Sequence, residues 1–346
     1  MRAEPTSGPG VDIGARLIVV GGAQRVDARS RPPWDIHDRG LVLECDTKTG
    51  EWTNVVDLAG PATPASPSAP FGLRFGSASI DGALLYTCTQ IEVLVYDIAT
   101  WKLVESISHP WLNAAHCVRP RASGTVLVVS TGIDAVLELS RSGELVSCWG
   151  VSGDPWASRS STVDYRTVPT TKPHRSHPNS VFEIGDDIWV TRFEERDAVC
   201  VTRPGRFFLG GEGPHDGIPC DRRVFFTAVD GQIRVIDQTT GRLDEIIDLS
   251  NLYQGPLSVG WCRGLAVFDN GARVIVGFSR LRDTRLRANT RWVAHRLRLH
   301  PHAALRSTRI ACFNLSTREI EWEVDLEPMN MAMIYSVHLH YDARSY

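Results

Sequence analysis

Three histidines occupy one recurring position in this sequence. His116, His177 and His215 each lie nine or ten residues before a run of β-branched and aromatic residues. Neutral imidazoles are good ligands for Fe, Cu, Zn or Mn, and histidine is also the usual general acid or base near neutral pH. Because the chain has only 11 histidines, three at a matched position predict a site for a divalent transition metal.

A fourth histidine is expected from the C-terminal run at residues 335–340. His338 and His340 lie two residues apart, so they face the same side of a strand, and one of them is enough to complete the ligand set. We expect His338 in the metal site, and His338 or His340 as the catalytic base. The alternative for all these histidines is a ring that hydrogen-bonds to a carbonyl or to water in a polar channel.

Polar side chains near the histidines are candidates for the rest of the site. Asn113 and Asn179 each lie within three residues of one of the histidines and are expected to bind substrate, and Asp216 is a candidate catalytic group. Arg263 takes the corresponding place in another segment and is a candidate for catalysis and for pairing with a substrate carboxylate or phosphate. Trp261 is expected to line an apolar wall. A buried ion pair is the alternative for the arginine, and packing between strands is the alternative for the tryptophan.

A repeated strand pattern positions these side chains. Two short β-branched or aromatic runs, a turn of the Asp-x-x-Thr-Gly kind and one more run recur every ~40 to 50 residues. The turns at residues 46–50 and 237–241 are clear examples. This pattern is typical of the blades of a β-propeller, whose innermost strands line a central channel, so the histidines should converge near the axis.

The repeats predict an all-β fold, a single six-bladed β-propeller domain that spans residues 1–346. Each of five blades is formed by one continuous stretch of the chain. The sixth is a composite N- and C-terminal blade, in which residues 331–341 supply the inner strand and residues 15–58 supply the other three. This closure removes an exposed sheet edge. Two separate domains are the alternative, but they leave the C-terminal strand unpaired. The predicted blades cover residues 74–110, 111–150, 177–211, 214–251 and 260–326.

Three insertions interrupt the predicted repeat, at about residues 60–72, 151–173 and 281–309. The last is arginine-rich, lies in the fifth blade and has the apolar spacing of a short helix at residues 288–299. It is either a solvated excursion or a wall that receives anions at the channel mouth. Residues 1–14 are expected to be flexible.

Composition excludes several classes of protein. The 346 residues are 42% hydrophobic with a formal charge of -3, which argues against disorder and against a dedicated nucleic-acid binder. No apolar run reaches the ~18 to 20 residues that span a bilayer, and the start has no secretion signal. Eight cysteines without a Cys-x-x-Cys pair indicate reduced thiols. We therefore expect a cytoplasmic protein with a small-molecule substrate and with no nucleic-acid or membrane partner.

The chain resembles bacterial six-bladed propellers of the NHL, strictosidine-synthase-like and virginiamycin B lyase-like groups. It also resembles poorly characterised propeller families with a histidine at the blade starts. The matching stretches are His-Pro-Asn-Ser-Val at 177–181, Pro-His-Asp-Gly-Ile at 214–218 and Gly-Trp-Cys-Arg-Gly-Leu at 260–265. In virginiamycin B lyase-like enzymes, a channel metal and a histidine base promote an elimination. Carotenoid-cleaving oxygenases offer a second analogy, a propeller in which four histidines hold iron.

Residues and resemblance together predict a metal-dependent enzyme that acts on a small polar metabolite in the central channel. Its reaction is expected to be a lyase-type elimination or an Fe-dependent oxidation. The alternative is a non-catalytic propeller that binds a ligand or a protein through the channel mouth and the arginine-rich insertion.

Overall fold

The computed structural model describes residues 13–60, 71–152, 162–253, 259–280 and 306–341. In these ranges the chain forms six four-stranded sheets, which confirms the predicted all-β six-bladed propeller. Most of the arginine-rich insertion, with its predicted helix, lies outside the described residues, as do residues 1–12. No helix in the described ranges is long and apolar enough to cross a membrane.

The strands follow the chain in order, four to a sheet. The strands of the N-terminal segment are β1 (Arg16–Gln24), β2 (His37–Asp46) and β3 (Glu51–Leu58). Blade 1 contains β4 (Ser79–Asp81), β5 (Leu84–Cys88), β6 (Glu92–Asp97) and β7 (Leu103–Ser108), and blade 2 contains β8 (Ala115–Pro120), β9 (Val126–Ser130), β10 (Ala135–Leu139) and β11 (Leu145–Gly150). Blade 3 contains β12 (Pro178–Ile184), β13 (Asp187–Arg192), β14 (Asp197–Cys200) and β15 (Arg206–Phe208), and blade 4 contains β16 (Pro214–Cys220), β17 (Arg223–Ala228), β18 (Gln232–Asp237) and β19 (Leu243–Asp248). Blade 5 contains β20 (Trp261–Phe268), β21 (Arg273–Ser279), β22 (Arg309–Asn314) and β23 (Glu319–Asp325), and the last strand is β24 (Met333–His340).

The ring closes through a composite blade, as the sequence predicted. Strand β24 pairs antiparallel with β1, with Val19 opposite Val337, so the sheet order is β24-β1-β2-β3. Hydrogen bonds then join β24 to both neighbours: Ser77 Oγ of blade 1 donates to the carbonyl of Tyr335, and the N–H of Ile334 donates to a serine hydroxyl of blade 5. Strands β4, β8, β12, β16, β20 and β24 contact one another in sequence around the axis and are therefore the innermost strands.

The turns have a local cause that is visible in the sequence. Asp46 Oδ1 accepts hydrogen bonds from two backbone N–H groups of its turn, and Asp237 Oδ1 does the same in its own turn. Both turns end in a glycine in the left-handed region, with φ of 73° at Gly50 and 67° at Gly241. Side-chain bonds to the backbone and a left-handed glycine are the usual means of ending a strand sharply.

The core lies between the blades. Six clusters of buried apolar residues occur in the described chain, and each draws from two adjacent blades. For example, Ile18 of the composite blade packs with Leu85 of blade 1, and Ile275 of blade 5 packs with Leu43 of the composite blade. Six clusters for six interfaces show that burial of apolar surface is continuous around the ring. All eight cysteines are free thiols.

The basic insertion ends earlier than the sequence predicts. Arg309, the last residue of the predicted insertion, is the first residue of β22, is 2% exposed and donates to Glu323. Arg306 also pairs with Glu323. The second predicted insertion is described from residue 162 onwards, and its residues 169–173 line the pocket described below.

Candidate functional site

The innermost strands of five blades contain a β-bulge near their first residue. Pairing with the neighbouring strand is interrupted at His116 in β8, Asn179 in β12, Asp216 in β16, Arg263 in β20 and Tyr335 in β24. A bulge redirects a side chain and interrupts the regular ladder. The repeated bulges therefore place polar side chains together at the end of the channel where the innermost strands begin.

A pocket of about 690 Å³ lies at this end of the channel, a volume in the range of small-molecule sites. The predicted site residues that line it are His116, His177, His215, Asn113, Arg263 and Trp261. The pocket lining does not include Asn179, Asp216, His338 or His340. Polar lining residues that the sequence did not predict are Arg74, Gln90, Thr170, Thr171, Lys172, His174, Glu194, His37 and Tyr335.

His116 has a fixed tautomer. Its Nδ1 lies 2.8 Å from the carbonyl oxygen of Ala114 and 3.0 Å from Thr131 Oγ1, and Thr131 Oγ1 itself donates to the carbonyl of Pro178. Because a carbonyl can only accept, Nδ1 carries the proton and Nε2 keeps its lone pair. Burial, followed by the charge of Arg74, lowers the pKa of His116 well below its ordinary value. The ring is therefore neutral, with Nε2 as a base or ligand atom.

His177 is held by a buried carboxylate. Asp134, which is 3% exposed, accepts hydrogen bonds from the N–H groups of Arg175, Ser176 and His177 at 2.8, 3.1 and 2.9 Å. This anchor stabilises His177 in the left-handed region, with φ of 50°. The Nδ1 atoms of His177 and His174 lie 3.0 Å apart. One of the two rings must donate to the other, so the pair shares a proton.

An aromatic side chain contacts two of the predicted ligands. The ring centroid of Phe193 lies 5.4 Å from that of His177 and 5.7 Å from that of His215, and it stacks on Trp261 at 6.3 Å. His116 and His177 are closer neighbours, with ring centroids 5.1 Å apart. Within the described residues, no three His, Cys, Asp or Glu side chains are grouped so that they could hold a metal ion.

Two buried arginines share one aromatic ring. The guanidinium carbons of Arg74 and Arg263 lie 4.3 and 3.7 Å from the ring centroid of Tyr335, and both arginines are 7% exposed. Arg263 Nε donates to the carbonyl of Ile334 at 2.6 Å. Burial lowers the pKa of His215 well below its ordinary value, and the charge of Arg263 contributes. The pocket therefore combines neutral imidazoles with guanidinium cations.

The two predicted substrate-binding asparagines make structural contacts. Asn113 lines the pocket, but its Nδ2 donates to the carbonyls of Tyr165 and Val168 at 2.7 and 2.9 Å and so holds the segment over the channel end. Asn179 lies below the pocket, where its Nδ2 donates to the carbonyl of Pro214 at 2.9 Å. The structure thus gives Asn113 a positioning contact.

Asp216 joins three blades within the channel wall. Its carboxylate accepts hydrogen bonds from Thr227 Oγ1 and, at 3.0 Å, from the N–H of Gly264, while its carbonyl accepts from Thr191 Oγ1 at 2.6 Å. Burial raises the pKa of Asp216 to about 6. The predicted catalytic aspartate is therefore a cross-link between blades, and it lies outside the pocket lining.

The positions of His338 and His340 correct the expected ligand set. The bulge in β24 brings Tyr335 to the pocket, and His338 follows three residues later, about 10 Å along the strand. His338 pairs with Ile18, which packs in the interface with blade 1, and burial lowers the pKa of His338 to about 4. His340 Nδ1 lies 3.3 Å from Arg16 Nη2. The structure does not bring these two histidines to the other three.

Comparisons with known proteins show a similarity of fold and no similarity of sequence family. No family model and no curated protein matches the chain. A crystal structure of a protein of unknown function from Bacteroides caccae is similar over 95% of this chain and 100% of that chain, with a TM-score of 0.60 and 12% identity. A chain of the mitotic checkpoint complex has a TM-score of 0.46 and 9% identity, over 83% of this chain and 73% of that chain.

Proposed function

We propose that this protein is an enzyme that catalyses a lyase-type elimination on a small polar metabolite bound in the channel pocket. The observation that carries the proposal is the state of His116. Its ring is neutral, its tautomer is fixed by Ala114 and Thr131, and its Nε2 lone pair has no described protein donor. A buried neutral imidazole in a pocket is well suited to accept a proton from a substrate.

The proposed reaction needs one base and one acid. His116 Nε2 takes a proton from a carbon beside a carbonyl group of the substrate, the electrons of that C–H bond form a C=C bond, and the leaving group departs with its bonding electrons. The pair of His174 and His177 shares a proton, and the His177 ring lies 5.1 Å from the His116 ring. The proposed acid is this pair in its singly protonated, cationic form: one proton stays between the two Nδ1 atoms, an Nε2–H gives its proton to the leaving group, and the pair is left neutral while His116 gains the proton taken from carbon.

A metal-dependent form of the same reaction remains part of the proposal. His116 and His177 are the residues that would hold a divalent transition ion such as Fe, Cu, Zn or Mn, because their rings are neighbours at the pocket. In this form the Nε2 of His116 would bind the ion, and the base would be His215 instead. His215 would have to approach past Phe193 to join them. The ion would polarise a substrate carbonyl and so make the neighbouring C–H bond more acidic.

Two further observations support the pocket as the site of the reaction and the cytoplasm as its location. The stretches in which the sequence resembles NHL, strictosidine-synthase-like and virginiamycin B lyase-like propellers include His177 and His215, both of which line the pocket. Eight free thiols suit a reducing compartment, so we propose that the protein works in the cytoplasm.

The test is a search for turnover with a matched control. Purified protein is incubated with a mixture of small metabolites, and mass spectrometry follows loss of a substrate and gain of its elimination product. The variant His116→Ala should lose turnover by at least ~100-fold, while His109→Ala, which lies outside the pocket lining, should retain it. Elemental analysis of the wild type, and activity after chelation and metal addition, separate the metal-dependent form from the metal-free form.

Two outcomes contradict the proposal. One is full turnover by His116→Ala. The other is retention of a metabolite in the pocket without conversion, which is the result expected from the non-catalytic alternative, a propeller that only binds a ligand.

A further inference from the structure

Arg74 carries a buried positive charge that the described residues do not balance. It is 7% exposed, its Nη1 is buried without a hydrogen-bond partner, and no described carboxylate forms an ion pair with it. Its guanidinium carbon lies 4.3 Å from the ring centroid of Tyr335. A cation–π contact offsets only part of the free energy of burying a charge.

The other charges of the pocket have neighbours of opposite sign. Asp216 interacts electrostatically with Arg263, and Glu194 interacts with Lys172. Glu194 is the only acidic side chain among the described residues that line the pocket, and burial, followed by the charge of Glu195, raises its pKa. The pocket therefore has an excess of positive charge, and the excess lies at Arg74.

We infer that the pocket takes an anionic metabolite, whose carboxylate or phosphate group is bound by Arg74 and Arg263 beside the ring of Tyr335. Both guanidinium groups line the pocket, and their carbons lie 4.3 and 3.7 Å from the same ring centroid. Planar guanidinium groups match the oxygens of carboxylate and phosphate groups. The statement that the bound anion is a substrate rests on the proposed function, whereas anion binding itself does not.

The same arrangement places the anion beside the proposed base. Arg74 is close enough to His116 to affect the ring electrostatically, and the rings of His116 and Tyr335 lie 6.0 Å apart by their centroids. A carboxylate held by Arg74 and Arg263 would thus have its neighbouring carbon near His116. A metabolite with both a carbonyl group and an anionic group would therefore present its reacting C–H bond to His116.

The experiment measures binding of simple probes and requires no turnover. Acetate and inorganic phosphate are titrated into the full-length protein by calorimetry at low salt, with acetamide as the neutral match for acetate. Removing a charged hydrogen-bond donor costs ~1.5–3 kcal/mol, which is about 10- to 150-fold in affinity. We expect Arg74→Gln and Arg263→Gln each to weaken anion binding by at least ~10-fold. Arg119→Gln, on the same strand as His116 but outside the pocket lining, should bind as the wild type does.

The outcomes separate this inference from the proposed function. Acetate binding without phosphate binding indicates a carboxylate metabolite, the reverse indicates a phosphorylated one, and either result supports the inference. Equal binding of acetate and acetamide, or undiminished acetate binding by a folded Arg74→Gln variant, overturns it. If Arg74→Gln does not fold, Arg74→Lys provides a second test. This variant keeps the charge and loses the planar pair of donors, so it should bind acetate more weakly than the wild type does. Acetate binding by the wild-type protein that depends on Arg74, with no elimination of any metabolite tested, leaves this inference standing and contradicts only the proposed function.

Discussion

Replacement of Asp134 by alanine should destabilise the protein and disturb one wall of the pocket. The Asp134 carboxylate accepts three backbone N–H groups, from Arg175, Ser176 and His177. Hydrogen bonds to a charged group contribute ~1.5–3 kcal/mol each in typical cases. The three bonds share one carboxylate, so their contributions are not independent. We therefore expect a loss of about 3 kcal/mol of unfolding free energy, less than the sum of the three.

The variant Asp134→Asn should lose less unfolding free energy than Asp134→Ala. Oδ1 accepts from Ser176 and His177, whereas Oδ2 accepts from Arg175. An asparagine can keep an oxygen at the first position but presents an N–H group at the second, so one bond and the charge are lost. The expected loss is about 1–2 kcal/mol. Asp81→Ala, an exposed aspartate of β4, is the matched control and should change stability by less than about 0.5 kcal/mol.

Denaturant unfolding and thermal melting measure these differences. Unfolding entropy of ~2.1 cal/mol/K per residue gives roughly 0.7 kcal/mol/K for this chain, so 3 kcal/mol corresponds to a fall in Tm of about 4 °C. The left-handed conformation of His177 depends on the same anchor, so turnover should fall in the order wild type, Asp134→Asn, Asp134→Ala. Equal stability of Asp134→Ala and Asp81→Ala would refute the reasoning.

Two more predictions concern the composite blade. Burial lowers the pKa of His338 to about 4, against ~6.5 in the unfolded chain. The unfolded state therefore binds a proton that the native state does not, and the unfolding free energy falls as pH decreases from 6.5 towards 4, by up to ~1.4 kcal/mol per pH unit. In His338→Leu, the unfolding free energy measured with urea should differ less between pH 7 and pH 5 than it does in the wild type. An equal difference in the two proteins argues against a lowered pKa of His338. A chain that ends before Met333 lacks the inner strand of the composite blade and should show no cooperative melting transition. A sharp transition near the wild-type Tm contradicts the closure argument.

Local chemistry made much of the fold predictable. The Asp-x-x-Thr-Gly turns form through side-chain bonds from Asp46 and Asp237 to the next N–H groups, which need no information from distant residues. Each turn therefore marks a strand boundary directly in the sequence. The composite blade followed from counting strands, because β24 had no other partner. The inner strand of blade 1, Ser79–Asp81, has only three residues and no pattern of its own in the sequence.

The site was less predictable because bulges do not show in residue counts. Counting backwards from the second strand gave His116, His177 and His215 one register. In the structure only His116 is a bulge residue, and the other two precede the bulges at Asn179 and Asp216. All three histidines still reach the pocket. A bulge adds one residue to one strand, so a count across it is uncertain by one or two positions.

The same limitation explains the error in the composite blade. The sequence offered Tyr335, His338 and His340 in one stretch, and residue type favoured the histidines. In the structure, the residue of this stretch that lines the pocket is the one at the bulge, Tyr335. Arg74 gave no sequence signal, because it precedes a very short strand and its significance arises from distant contacts with Tyr335. Burial without a described ion-pair partner is a property of the folded chain and has no counterpart in a sequence pattern.

The base and the cation of the pocket depend on each other. The charge of Arg74 contributes, after burial, to the lowered pKa of His116, so the group proposed to bind the anion also helps to keep the proposed base unprotonated. Arg74→Gln therefore affects turnover in two ways, through weaker binding and through a changed base. A turnover assay alone would not separate these effects. Binding of acetate isolates the first, because His116 need not accept a proton for an anion to bind.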